Sequence, residues 1–198
     1  MRYFSLALLI CLAAAPLRAQ QDAGTHIGVG IRVNDLLSDL ATATFSDGDL
    51  LGLGAVLLVP IDVRGTFRVE PEVGFGRVSN SSEDGDFETT SSRYHLGLGL
   101  MKLLPRDAFG LYVGGRVQYT RSVETDNFPS DDDELVRTIS GLGPVVGGDY
   151  RFAPRFSLGG EAGLLYRSFG FESNGEEIET NLSSLSTTGA VYVRFYFN

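Results

Sequence analysis

Over most of its length this chain alternates apolar and polar side chains with period two, the spacing at which a strand turns successive residues to opposite faces. The alternation falls into eight segments, which predict strands at His26 to Val33, Leu50 to Val59, Phe67 to Arg77, Ser92 to Lys102, Phe109 to Arg121, Thr138 to Tyr150, Phe156 to Phe169 and Leu185 to Phe197. One face is apolar, as in Phe67, Val69, Val73 and Phe75, in Leu96, Leu98 and Leu100, and in Val191, Val193, Phe195 and Phe197. The other mixes glycine with charge and tyrosine, as in Gly28, Gly30 and Arg32, in Arg68, Glu70 and Glu72, in Tyr112, Gly114 and Arg116, and in Tyr192, Arg194 and Tyr196.

Most segments are near the roughly 9 to 11 residues with which a tilted strand crosses a bilayer. Alternation alone leaves open which face is inside. An eight-stranded barrel has an interior just wide enough to be filled by side chains, and roughly four large apolar residues per strand, counted from the alternation, would overfill it. The apolar face is therefore expected outside and the glycine-rich polar face inside. The aromatics support this arrangement: Phe67, Phe109, Tyr150, Phe156, Phe195 and Phe197 fall on one rim and Tyr94, Tyr119 and Tyr166 on the other, as the two girdles of a membrane barrel do. Mid-strand charges share the inward parity, so Glu70, Glu72, Asp149 and Glu161 are expected to pair with Arg32, Arg68, Arg116 and Arg194. Pro71 and Pro144 lie within strands and predict a bulge or a locally broken pair at each.

The connections alternate as well. Asn34 to Asp49, Ser79 to Ser91, Ser122 to Val136 and Glu172 to Ser184 contain no Lys or Arg and hold 18 of the 25 acidic residues. Between them, the connections at Pro60 to Thr66, Leu104 to Ala108 and Arg151 to Arg155 are short and basic. Short turns on one side and long acidic loops on the other fit an all-β, eight-stranded antiparallel up-and-down transmembrane barrel, with its turns periplasmic and its loops extracellular.

Residues 1–19 read as a secretory signal peptide: Arg2 is followed by an apolar run from Tyr3 to Pro16 and by Ala19 at a plausible cleavage point. That leaves residues 20–198 as one barrel domain. Cys11 is the only cysteine and lies in the signal, so disulfides, zinc clusters and cysteine nucleophiles are excluded from the exported chain. The net charge of −9 disfavours nucleic acid as a partner.

With these features the chain resembles the small eight-stranded outer-membrane barrels, the group of the OmpA transmembrane domain, OmpX and the opacity-type surface proteins. The likeness rests on the signal, the strand from Arg68 to Phe75, the hairpin from Gly147 to Gly159 and the terminal strand from Ala190 to Phe197. It implies residence in the outer membrane of a Gram-negative-type bacterium. It also implies lipid partners including lipopolysaccharide, periplasmic chaperones and an assembly machinery that reads the last strand, and a monomeric state. The chain ends Phe197-Asn198, one residue past the aromatic that usually closes that strand. A peptidoglycan-tethering role is not expected.

Some barrels of this group edit lipid A, which makes the two histidines candidate catalysts. His26 begins the first strand, while His95 has inward parity toward the loop side. A deacylase-like serine two residues after His95 is absent, Gly97 standing there, and Ser91 and Ser92 are the only serines close in sequence. His95 is expected to be a hydrogen-bonded lumenal residue, and no catalytic, cofactor-binding or metal-ligating residue is assigned. The acidic runs Glu83 to Glu88 and Asp131 to Glu134 lack the ligand spacing of a calcium loop. Arg77, Arg93, Arg121 and Arg137 bracket two of the long loops, where they could hold lipopolysaccharide phosphates or balance the acids beside them. The expected role is structural or surface-interacting, with a plugged lumen and no catalysis. The alternatives are a lipid A-modifying enzyme, a narrow channel and a soluble ligand-binding barrel.

Overall fold

A computed structural model describes residues 24–34, 55–81, 88–106, 109–128 and 131–197. It contains nine strands: β1 (Thr25–Asn34), β2 (Ala55–Leu58), β3 (Ile61–Val63), β4 (Phe67–Ser81), β5 (Glu88–Arg106), β6 (Phe109–Phe128), β7 (Asp131–Ala153), β8 (Phe156–Ser173) and β9 (Glu176–Tyr196). Each pairs antiparallel with its neighbour in the ring, and β9 returns to pair with β1. Because β2 and β3 both lie between β1 and β4, they are two halves of one ring position, and the ring has eight strands. A cross-strand row starting at Thr25 passes through Val63, Phe67, Lys102, Val113, Val146, Ala162 and Gly189 and closes next to Asn34. The register thus climbs about ten residues in one circuit, which sets the strand tilt of a closed barrel.

Prolines account for the break between β2 and β3. Gly28 N donates to Pro60 O at 2.9 Å and Val59 N to Pro71 O at 3.0 Å. In each pair the proline supplies its carbonyl but has no N–H to return the bond. The register on either side of the break is unchanged, so Pro71 gives the broken pair expected of it without a bulge. Pro144 does the same: β7 and β8 pair on both sides of it in one register but not at Gly143 and Pro144. The bulges fall elsewhere, at Arg151 to Ala153 and Phe169 to Phe171.

The connections require a correction. The second, third and fourth long acidic connections were expected as loops, yet pairing continues to Ser81↔Glu88, to Phe128↔Asp131 and to Ser173↔Glu176. Alternation is a signal of one buried face, and above a membrane both faces are wet. A ladder already in register can therefore continue on backbone hydrogen bonds through sequence that shows no apolar period. The last hairpin closes on Asn174-Gly175, with φ of 51° and 80°, the positive pair that a two-residue turn matching strand twist requires. On the opposite end the turns are as short as expected or shorter, β5 and β6 pairing down to Arg106↔Phe109. These ends are called the hairpin side and the turn side. The signal segment, nearly all of the first long connection and the acids from Glu83 to Asp86 lie outside the described residues.

The apolar face points outward, with Ile31, Phe75, Leu96, Leu100 and Val193 among its exposed side chains. Buried side chains line the lumen and are led by Arg116, Arg194, Tyr112, Tyr192 and Glu70. A small apolar cluster of Val56, Leu58, Met101 and Val145 packs there beside Tyr112 and Tyr192.

Candidate functional site: an ion network in the lumen

Strand alternation points side chains from seven of the eight ring positions at one volume, and glycine leaves the room for them. A Cβ on Gly97 would meet Glu72 Cγ at 2.7 Å, and one on Gly99 would lie 3.0 Å from Arg116 Nη1. At Gly147 it would collide with the Tyr112 ring, and at Gly159 with the Tyr192 hydroxyl. The alternation of glycine with bulky polar residues on neighbouring strands is thus a packing code for a narrow polar interior.

Arg116 on β6 is the hub. Its guanidinium donates to Glu70 at 2.9 Å, to Glu72 at 2.9 Å, and to both oxygens of Glu161 at 3.0 and 2.8 Å. Arg32 on β1 reaches the other oxygen of Glu72 at 2.9 Å and Glu161 at 3.2 Å. Arg194 on β9 contacts Glu70 at 2.6 Å and Asp149. Arg68 on β4 completes the chain through Asp149 at 2.8 Å. The eight residues expected to pair therefore do so as one continuous network.

The sequence reading missed the ninth member. Asp62 lies on β3, within a segment assigned to a turn, and takes Arg68 in a two-point grip at 2.6 and 3.0 Å. Its place on a strand follows from the proline break, after which three residues resume the ladder; the parity of Asp62 with Leu58 and Val56 was the available signal. The tyrosines add contacts: Tyr112 donates to Glu161 at 3.0 Å, Tyr196 accepts from Arg68 at 2.8 Å, and the Arg194 guanidinium lies 3.6 Å from the Tyr192 ring centroid.

Four guanidiniums and five carboxylates lie together in the turn-side half of the lumen, with all nine side chains at or below 14% exposure. Charges this deep are tolerable only where paired and hydrogen-bonded. Each carboxylate is engaged by at least one arginine, so none stands ready as a base beside a nucleophile.

His95 lies on the hairpin side, and its Nδ1 is 3.0 Å from Thr120 Oγ1. It is the hydrogen-bonded lumenal histidine expected. Ser91 and Ser92 do not join it: they pair across with Val78 and Glu124, and with Arg77 and Val123. The four rim arginines divide. Arg93 donates to Ser122 Oγ at 3.3 Å and Arg137 sits 5.5 Å from the Phe171 ring centroid, whereas Arg77 and Arg121 face outward and are exposed. No group of His, Cys, Asp and Glu able to hold a metal ion occurs among the described residues. Asp131 to Glu134 lie within β7 rather than in a loop.

The aromatic girdles are in place. Phe152, Phe156, Phe195 and Phe197 form a run of ring contacts at 6.0, 4.9 and 5.4 Å on the turn side, and Phe75 meets Tyr94 at 5.2 Å on the hairpin side.

Residues 4–197 match the family model described as "Outer membrane protein beta-barrel domain". Among solved structures, the chain is similar to a major outer membrane protein from Thermus thermophilus, at 16% identity and a TM-score of 0.53, covering 87% of this chain and 99% of that one. Neisserial surface protein A is similar at 15% identity and 0.46, covering 88% and 98%. Ail, the attachment invasion locus protein of Yersinia pestis, is similar at 11% and 0.44, covering 87% and 95%. No curated protein matches the chain.

Proposed function

Because this chain belongs to the outer membrane protein β-barrel domain family, and so resides in the outer membrane, we propose that it is a plugged, non-catalytic barrel whose hairpin side faces outward and makes surface contacts. One observation carries the plug: the nine-residue ion network joins side chains from seven of the eight ring positions inside the turn-side lumen. An ion crossing would have to displace groups that are each other's counter-charges, and their burial makes that costly. Planar bilayers test this directly. The wild-type barrel is expected to give no sustained conductance; stable unitary openings in the wild type would replace the plug with a channel.

The absence of catalysis is supported by what surrounds His95. Its bonded neighbour is a threonine hydroxyl, and the lumenal acids are held by arginine. His95→Ala is expected to leave lipid A acylation unchanged in cells, and a shifted lipid A profile would restore the enzyme reading. The barrel is further proposed to act as a monomer within outer-membrane lipid, delivered by periplasmic chaperones and the assembly machinery.

A further inference from the structure

We propose that the outward face of β4, β5 and β6 at the hairpin-side rim is a docking site for the phosphates of an outer-leaflet glycolipid of the lipopolysaccharide type, held by Arg77 and Arg121. The proposal rests on the orientation given above and adds the site and the ligand chemistry.

The register brings the two arginines together. Arg77 pairs with Ser92, Ser92 with Val123, and Arg121 lies two residues before Val123 on β6. Because cross-strand rows climb by a little over one residue per strand, this offset puts Arg77 and Arg121 at one level of the barrel, their backbones roughly 11 Å apart by strand spacing. Ser92 stands between them with the same outward parity. Beneath them Phe75 and Tyr119 share a level, and Tyr94, the cross-strand partner of both Phe75 and Arg121, stands between; all three are exposed. Aromatic rings of this kind mark headgroup depth, so the guanidiniums stand where lipid phosphates lie.

The same arginines could instead balance the acids of the hairpins above. What the described residues offer favours the phosphate. Arg32, Arg68, Arg116 and Arg194 each have a carboxylate partner, and Arg93 and Arg137 are engaged by a serine and an aromatic ring. Among the described residues, neither Arg77 nor Arg121 has an ion-pair partner. Their own face continues upward with Ser79, Thr90, Val123 and Thr125, where Ser79 and Thr90 share a hydrogen bond at 3.0 Å. Glu124, the nearest acid on β6, has the opposite parity. Two guanidiniums with no ion-pair partner among the described residues, on a hydroxyl-lined face, form a fork suited to phosphate oxygens.

Purified barrel in detergent, titrated with lipid A and with enzymatically dephosphorylated lipid A and read by native mass spectrometry, tests the site. The wild type is expected to prefer the phosphorylated lipid, and Arg77→Ala with Arg121→Ala to lose about tenfold per arginine toward that lipid only. Inorganic phosphate at the same concentration should not displace the lipid. Arg93→Ala should bind as the wild type does. Equal wild-type binding of both lipids overturns the site without any variant, as does unchanged binding by a double variant that retains heat-modifiable gel migration. If the double variant does not assemble, Arg77→Gln and Arg121→Gln are read singly against the same two lipids. A barrel that conducts yet still prefers the phosphorylated lipid would sink the plug and leave this site standing.

Discussion

On the turn side of the lumen, four arginines and five carboxylates are buried against tyrosine rings; on the hairpin side, the inward positions include Gly74, His95, Gln118, Thr120, Arg167, Ser186 and Thr188. Both halves are polar and drawn by the same alternation, yet they bury that polarity differently. Full charges in the lower half are joined in one network, in which Arg116 alone holds three carboxylates. In the upper half, His95 and Thr120 bond as a neutral pair. The lower half should therefore respond to substitution as a unit and the upper half residue by residue.

The largest test of that difference is the hub. Arg116→Met leaves Glu70, Glu72 and Glu161 short of a counter-charge, and should cost about 3 to 5 kcal/mol in urea unfolding of the barrel in lipid vesicles. A loss below about 1 kcal/mol would mean that the network reorganises freely and the two halves are alike. Next in size is a matched pair of glycines. Gly147→Ala drives a methyl into the Tyr112 ring and should cost about 1 to 3 kcal/mol, whereas Gly76→Ala, on the hairpin side with nothing within 4 Å, should be close to neutral. Equal costs for both would erase the contrast. Thr120→Val removes the bonded neighbour of His95 and should cost about 0.5 to 1.5 kcal/mol in the same assay; a loss as large as that of Arg116 would extend the coupled unit into the upper half. The smallest effect on the barrel belongs to Gly175→Ala. A methyl at φ of 80° strains the turn by roughly 1 kcal/mol, so amide exchange should quicken in the β8 to β9 extension while the melting of the barrel stays put.

How far each half was legible follows from the type of signal it leaves. The lower network was readable because a charge at mid-strand with inward parity has few places to go but another charge, and eight of its nine members were expected on that ground. Asp62 escaped because Pro60 marked the end of a strand in sequence, while in the barrel the ladder resumes across it in unchanged register. The extended hairpins escaped for a different reason, since strands with two wet faces have no apolar period to display. One local cue was present and passed over: Asn174-Gly175 is a two-residue hairpin signal within a segment assigned to a loop.

Among the rim arginines, sequence supplied four candidates and parity could already distinguish two of them. Their partners could not be inferred, because Ser122 lies on the strand beside Arg93 and Phe171 on the strand beside Arg137. Only the register brings those groups within reach, while Arg77 and Arg121 face outward.

The sequence by itself determined the strand count, the outward and inward faces, the aromatic rims and the sign of the lumenal charges, because each follows from period-two alternation acting on one chain at a time. Tertiary structure alone decided the shear, the length of the hairpins, the bridging of the β2 and β3 break and the wiring of the network from Arg32 round to Arg194. Those depend on which residue stands opposite which on another strand, and closure of the ring fixes that register for all eight positions together.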